Sequence, residues 1–413
     1  MPHIISRREF GGLAAVFGAQ GGRLLGAADG VGKVDDTLRS GIAQRKIPAA
    51  VGMAASESSV LYSGAFGTRD SSGVAVNADS IFAIASMTKA ITTVAALQLV
   101  EQGKVKLDAP VSQHLPQLAT LEVLEGFDAE TGKASLRPTR TPVTLKHLLT
   151  HTSGICYDIW DRDMFQYTLK TKGVVPAVPP LMFEPGMRWQ YGMGVDWAGR
   201  LVEVVSGMNL EEYFQARILG PLAMQDTSYL IPASKFDRLV SAYSRQADGS
   251  LRQNPRVPPP VPKEFSGGGG LYSTTGDYVR FIQMILRKGR GPNNHRILQA
   301  KTVESMEINQ IGTATAGKMK SYRPNLSSDV DMQPGATEKW GLGFLINTTA
   351  YDGGRAEGSL AWAGLFNTFY WIDPKRSICA VLMMQFLPFV DKEAVGLLGD
   401  FERRVYSSLR PAV

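Results

Sequence analysis

Ser86 and Lys89, in the run Ser86-Met87-Thr88-Lys89, have the residue types and the spacing for nucleophilic catalysis. Three positions on a helix put two side chains on one face, a turn apart. A serine held there attacks a carbonyl if the neighbouring amine takes its proton. A chain of this length and composition meets S-x-x-K about once by chance, so the spacing alone decides little. Placement decides more. The segment MTKAITTVAALQLV reads as a helix from roughly Ser86 to Glu101 that is apolar almost all round, the mark of a buried helix. Ser86 then lies in the first turn, where free N–H groups and the dipole favour a developing oxyanion. Burial disfavours the ammonium form of Lys89, and a neutral amine beside a hydroxyl is a general base. The bland reading is an N-cap serine and a lysine that snorkels to solvent.

Other chemistries are poorly supplied. The chain holds no G-x-S-x-G, the strand-to-helix turn that presents the serine of many hydrolases. His151, in His151-Thr152-Ser153-Gly154, lies close to a serine but reads as part of a turn at a helix end. His147 and His151 have a zincin's spacing, without the Glu that should follow the first His. The two cysteines, Cys156 and Cys379, match neither a zinc nor a redox spacing. No metal and no cofactor is implied. The formal charge of +6 owes three of its arginines to positions 7, 8 and 23. Elsewhere basic and acidic residues mix, without the basic stripe that nucleic acid requires. No stretch approaches the roughly 20 apolar residues of a membrane span.

The positioning elements follow from length and pattern. A chain of 413 residues, 44% hydrophobic and 20% charged, is globular and holds two or three domains or one large fold with an insertion. From Pro48 the pattern is β, with two strands around a polar turn at Glu57-Ser58-Ser59. Gly103 ends the buried helix. The stretch 107–266 holds short helices (TLKHLLTHTSG, VDWAGRLVEVVSG, LEEYFQARILGPL) between Pro- and Gly-rich loops. Its run NPRVPPPVPKEF can be neither helix nor central strand. After Gly267–Gly270 come a helix, TTGDYVRFIQMILRKG, and three β stretches: WGLGFLINT, GSLAWAGLFNTFYWIDP and SICAVLMMQ. Asp373-Pro374 marks a hairpin turn, and a last helix runs from about Lys392 to Ser408 with Asp391 as N-cap. The expected fold is α+β: one antiparallel sheet of N- and C-terminal strands, flanked by helices (29–106 and 267–413), beside a mainly helical insertion domain (107–266). The site should lie where the two meet.

Residues 1–28 stand apart. Ser6-Arg7-Arg8-Glu9-Phe10, a mildly apolar Gly11–Ala19 and small residues at Ala27 and Ala28 form a twin-arginine export pattern, with Arg23 an interruption. A functional signal means a periplasmic or exported protein; without one the chain is cytoplasmic.

Several ordered motifs resemble the serine β-lactamase-like superfamily. These are Ser86-Met87-Thr88-Lys89, Leu148 to Gly154, Glu184-Pro185-Gly186 with Tyr191-Gly192, Asp277, and Trp362-Ala363-Gly364. The likeness spans about residues 35 to 410. LEGFDAETGKASLR, WQYGMGVDWAGRLVE and GSLAWAGLFNTFYWIDP are most similar to family VIII carboxylesterases and the related fungal acyltransferase that builds statin esters. The resemblance implies the β-lactamase/transpeptidase-like fold, Ser86 as the acylated nucleophile, Lys89 as its basic partner and Tyr191 as the tyrosine that activates the acceptor. By residue type alone Tyr157 or Tyr272 would serve as well. The resemblance also implies an oxyanion hole from the backbone N–H groups of Ser86 and Leu365, and substrate contacts at Trp362, Ala363, Gly364 and Met193.

Two departures matter. Trp362 stands where β-lactamases and penicillin-binding proteins carry the Lys of K-T-G, and Met193 replaces the Asn two residues after the tyrosine. Both lost groups bind the carboxylate and amide of a β-lactam or peptide, so the pocket should prefer neutral esters. The expected activity is hydrolysis of short- to medium-chain acyl esters, a small-molecule substrate. Acyl transfer to an alcohol shares every catalytic residue, and weak cephalosporin hydrolysis is a third activity. A catalytically dead binding relative is disfavoured because all three side chains are present.

Overall fold

The computed structural model describes residues 27–408; the twin-arginine stretch at Arg7 and Arg8 lies outside them. Seven strands form the central sheet: β1 (Ala49–Ser56), β2 (Val60–Gly67), β3 (Glu338–Trp340), β4 (Leu345–Asn347), β5 (Leu360–Gly364), β6 (Thr368–Asp373) and β7 (Ile378–Met383). Their order is β2-β1-β7-β6-β5-β4-β3, and every neighbouring pair is antiparallel. The two ends of the chain join at β1 and β7, where Met53 lies opposite Val381.

All residues of β1, β6 and β7 are buried, so both faces of the sheet must be covered. Six helices matter for that and for the site: α1 (Ala27–Arg45), α2 (Thr88–Glu101), α3 (Leu145–Leu149), α4 (Gly194–Ser206), α5 (Thr275–Leu286) and α6 (Lys392–Ser408). Successive strand residues point to opposite faces, which separates the layers. Trp371 packs on Phe401 of α6, with ring centroids 5.8 Å apart, and Tyr370 packs on Tyr278 of α5 at 5.2 Å. Gly52 faces Phe401 and Leu38, so α1 shares the α6 side. Helix α2 is buried from Thr88 through Leu97 and packs against α4.

Local signals account for several boundaries. Gly103 adopts φ +70 just past α2, as a left-handed C-cap glycine does. Asp391 Oδ1 accepts the N–H groups of Glu393 (3.0 Å) and Ala394 (3.2 Å), which caps α6. Residues 254–263 form neither helix nor strand. Other boundaries differ from the sequence reading. WGLGFLINT splits into β3 and β4, and GSLAWAGLFNTFYWIDP folds back on itself as β5 and β6, turning at Asn367 with φ +63. The 107–266 stretch also contains a hairpin, Glu122–Phe127 with Ala134–Pro138, and the strands Tyr243–Arg245 and Leu251–Gln253. Their alternation is too short and too polar to read as strand. Among the described residues no helix is long and apolar enough to cross a membrane.

Candidate active site

Ser86 sits in a tight 3-10 turn, Ala85–Met87, immediately before α2. Ala85 has φ +43, a left-handed conformation that a residue with a Cβ adopts at some cost. The turn runs directly into α2, and no side chain caps α2 at Met87.

Lys89 lies one turn on, only 2% exposed. Its Nζ is 3.3 Å from Ser86 Oγ, 3.1 Å from Tyr157 Oη and 2.7 Å from the Gly268 carbonyl oxygen. Three neighbours fill the three free positions of a tetrahedral nitrogen. A neutral amine in this place donates two N–H groups, to Gly268 and Tyr157, and keeps its lone pair for the Ser86 proton.

The two tyrosines near Lys89 differ. Tyr157 Oη donates to Asp196 Oδ2 at 3.2 Å. Burial, then the Asp196 carboxylate, push its phenol well above the ordinary value, so Tyr157 stays protonated. Tyr191 Oη instead accepts the indole N–H of Trp362 at 3.0 Å, a donor placed to stabilise negative charge on that oxygen. Lys89 Nζ stands 4.9 Å from the Tyr191 ring centroid. Tyr272, the third candidate by residue type, lies in a short strand paired with Phe82–Ala83.

His151 is a prop. Its carbonyl accepts Gln190 N–H at 2.9 Å and its Nδ1 accepts Gly192 N–H at 3.4 Å, so it holds the chain on both sides of Tyr191. The rings of His151 and Tyr191 are 4.5 Å apart. Burial, then the nearby Lys89, hold this imidazole well below the usual histidine value. An imidazole that accepts at Nδ1 carries its proton on Nε2 when neutral, and Nε2 is buried here without a hydrogen-bond partner.

The sheet supplies the opposite wall. A Cβ on Gly364 would lie 2.3 Å from the Ile84 carbonyl, so the end of β5 touches the backbone of the Ser86 turn. Leu365 is the next residue after this contact, and Ser86 lies two residues after Ile84. Trp362 faces Tyr191, with ring centroids 4.8 Å apart, and Trp340 lies against Trp362 at 4.7 Å. Ala363 points to the other face, where it pairs with Phe369. There it lines a cavity of about 430 Å³ with Val395 and Leu398 of α6. That cavity shares Trp362 with the site, but Ser86, Lys89 and Tyr191 do not line it. Met193 is the N-cap residue of α4 and packs on the core.

Sequence reasoning did not single out Asp196 or Gly268. Asp196, in the first turn of α4, follows Tyr191 by five residues, and Gly268 belongs to the glycine run 267–270. The one signal for them was that run, since four glycines in a row invite close backbone approach. Among the described residues no group of His, Cys, Asp and Glu could hold a metal ion.

A buried S-x-x-K at the foot of an antiparallel sheet, with tyrosines from the adjoining layer, defines a serine hydrolase or acyltransferase of β-lactamase-like fold. The Beta-lactamase family model matches residues 34–399, and the chain belongs to that family. It is 33% identical to monacolin J acid methylbutanoyltransferase of Aspergillus terreus over 92% of this chain and 97% of that protein. It is 32% identical to lovastatin esterase of Penicillium rubens over 79% of this chain and 85% of that one. The solved structure of a simvastatin synthase from Aspergillus terreus, the LovD6 mutant, superposes with TM-score 0.79 at 32% identity, covering 92% of this chain and 95% of that chain.

Proposed function

We propose that this protein is a carboxylesterase that hydrolyses short- to medium-chain acyl esters through an acyl-enzyme on Ser86. The observation that carries the reading is Lys89 Nζ, buried and 3.3 Å from Ser86 Oγ. Ser86 Oγ attacks the ester carbonyl carbon, and its proton passes to the Lys89/Tyr191 pair. The N–H groups of Ser86 and Leu365 receive the oxyanion. The carbon–oxygen bond to the alcohol breaks, and the pair returns the proton to the departing alkoxide. Water then attacks the acyl carbon while Tyr191 takes its proton, and Ser86 leaves reprotonated. The Trp362 indole N–H on Tyr191 Oη supports that role, and it replaces a cation with a neutral donor. A neutral ester therefore fits this wall better than an anionic β-lactam.

Transfer of the acyl group to an alcohol is the second reading, favoured by the likeness to a methylbutanoyltransferase over nearly its whole length. It differs only in the acceptor. Steady-state turnover of p-nitrophenyl butyrate and nitrocefin by the wild type, Ser86→Ala and Tyr191→Phe tests the proposal. Fast butyrate cleavage lost in both variants, with little nitrocefin turnover, is expected; nitrocefin as the better substrate would overturn it. Adding an alcohol and measuring the ratio of new ester to free acid separates transfer from hydrolysis.

A further inference from the structure

Asp196, in the first turn of α4, makes no hydrogen bond to Ser86 or Lys89. It holds both of the groups that hold Lys89. Asp196 Oδ2 accepts the Tyr157 hydroxyl at 3.2 Å, and the same hydroxyl oxygen lies 3.1 Å from Lys89 Nζ. Asp196 Oδ1 accepts the Gly268 N–H at 3.2 Å, and the Gly268 carbonyl lies 2.7 Å from Lys89 Nζ. Ser266 Oγ also donates to Asp196 Oδ1. The approach is close enough that a Cβ on Gly268 would sit 2.1 Å from Asp196 Oδ2, so only glycine permits it.

This double bridge has a chemical consequence. A carboxylate only accepts hydrogen bonds, so the Tyr157 proton must point at Asp196 and the Tyr157 lone pairs at Lys89. The Gly268 residue is likewise oriented, N–H toward Asp196 and carbonyl toward Lys89. Lys89 is left with one position, and that position faces Ser86.

We propose that Asp196 is a positioning residue for acylation: through Tyr157 and Gly268 it aims Lys89 at Ser86, and its charge enters the pH dependence of that step. This rests on Ser86 being the nucleophile, as proposed above. The other polar groups that face Lys89 are Ser86 from the preceding turn, His151 and Tyr157 from the segment after α3, Tyr191 from the chain leading into α4, and Gly268. Asp196 stands behind two of these groups and reaches Lys89 only through Tyr157 and Gly268.

Asp196→Asn keeps the size but reverses one bond. An amide NH₂ facing Tyr157 donates to its oxygen, the Tyr157 proton turns to Lys89, and it competes with Ser86 for the amine lone pair. Tyr157→Phe keeps the ring and removes the hydroxyl bridge. Either change removes stabilisation of the ammonium. The acid limb of kcat/KM for p-nitrophenyl butyrate, measured from about pH 5 to 10, should therefore move to lower pH, with a plateau lowered by about 10- to 100-fold. A structural fault would lower the plateau and leave the limb in place. Should Asp196→Asn fail to fold, Tyr157→Phe decides alone. Labelling of Ser86 by a fluorophosphonate probe separates the two claims. A labelled Ser86 with an unmoved acid limb in either folded variant overturns the role of Asp196; an unlabelled Ser86 in active wild-type enzyme overturns the nucleophile assignment itself.

Discussion

Among the described residues two lysine or arginine side chains are buried, Arg355 and Lys89, and they are treated in opposite ways. Arg355 meets a carboxylate directly: its backbone N–H and Nε donate to Glu402 Oε1, each at 2.8 Å, and its terminal NH2 group donates to Oε2 at 2.5 Å. It also lies over the rings of Tyr351 and Trp371. Burial opposes its charge, but Glu402 more than offsets that and raises the guanidinium above its ordinary value. Lys89 meets a carbonyl, two hydroxyls and the faces of two tyrosines, with its carboxylate one hydroxyl away. A cation that must stay charged is given a bidentate anion. One that must exchange a proton is kept off the anion, because direct contact would hold the proton in place.

The difference can be broken from either side. Lys89→Met removes the proton acceptor and leaves an apolar chain in an apolar helix. Butyrate ester hydrolysis should fall by roughly 10⁴-fold, while thermal melting by circular dichroism stays close to wild type. Glu402→Gln should do the reverse, because it strands the buried Arg355. We expect about 3–5 kcal/mol of lost stability in urea unfolding, with kcat/KM of the folded enzyme little changed. An inactive but stable Glu402→Gln would contradict the division.

Two smaller effects sharpen it. Trp362→Phe keeps a ring in the wall but removes the N–H on Tyr191 Oη. A bond to a developing charge is worth about 1.5–3 kcal/mol, so kcat should drop by roughly 10- to 100-fold, with KM changed less. Glu184 obeys the rule from the anionic side. Burial works against its charge, but bonds from Arg137, Thr139 and the amides of Arg140 and Thr141 hold its carboxyl at about 2, below its ordinary value of 4.5. A lowered folded-state value stabilises the fold above about pH 4.5 and is lost as the pH falls toward 2. Glu184→Gln should therefore cost about 1–2 kcal/mol at pH 7, and the gap to wild type should narrow by pH 3 when both are unfolded in urea.

What the sequence revealed follows the same physics. The sheet, α2, α5 and α6 were legible because long apolar runs and their caps are local signals: Gly103, Asp391 and the turn at Asp373-Pro374 each sit where the chain changes direction. Ser86 and Lys89 were legible because one helical turn brings them together. The hairpin at Glu122–Phe127 and Ala134–Pro138 was not, since polar residues alternate there with few apolar ones. Asp196, Gly268 and the Tyr157 bond to Lys89 were hidden for another reason. Their partners lie 39 to 179 positions away along the chain, and no local pattern records a hydrogen bond closed by the fold. Spacing could not rank Tyr157 against Tyr191, and their hydroxyls have different partners: Asp196 and Lys89 for Tyr157, Trp362 for Tyr191.

In the proposed mechanism Ser86 carries the acyl group. Tyr191→Phe should slow deacylation and let that species accumulate, so we would quench this variant within seconds of mixing with p-nitrophenyl butyrate and weigh the intact protein. We expect a mass increase of one butyryl group, mapped by proteolysis to the peptide containing Ser86 and absent when Ser86→Ala is added. Unmodified protein that still releases p-nitrophenol at the wild-type rate, or a butyryl group on any other residue, would contradict it.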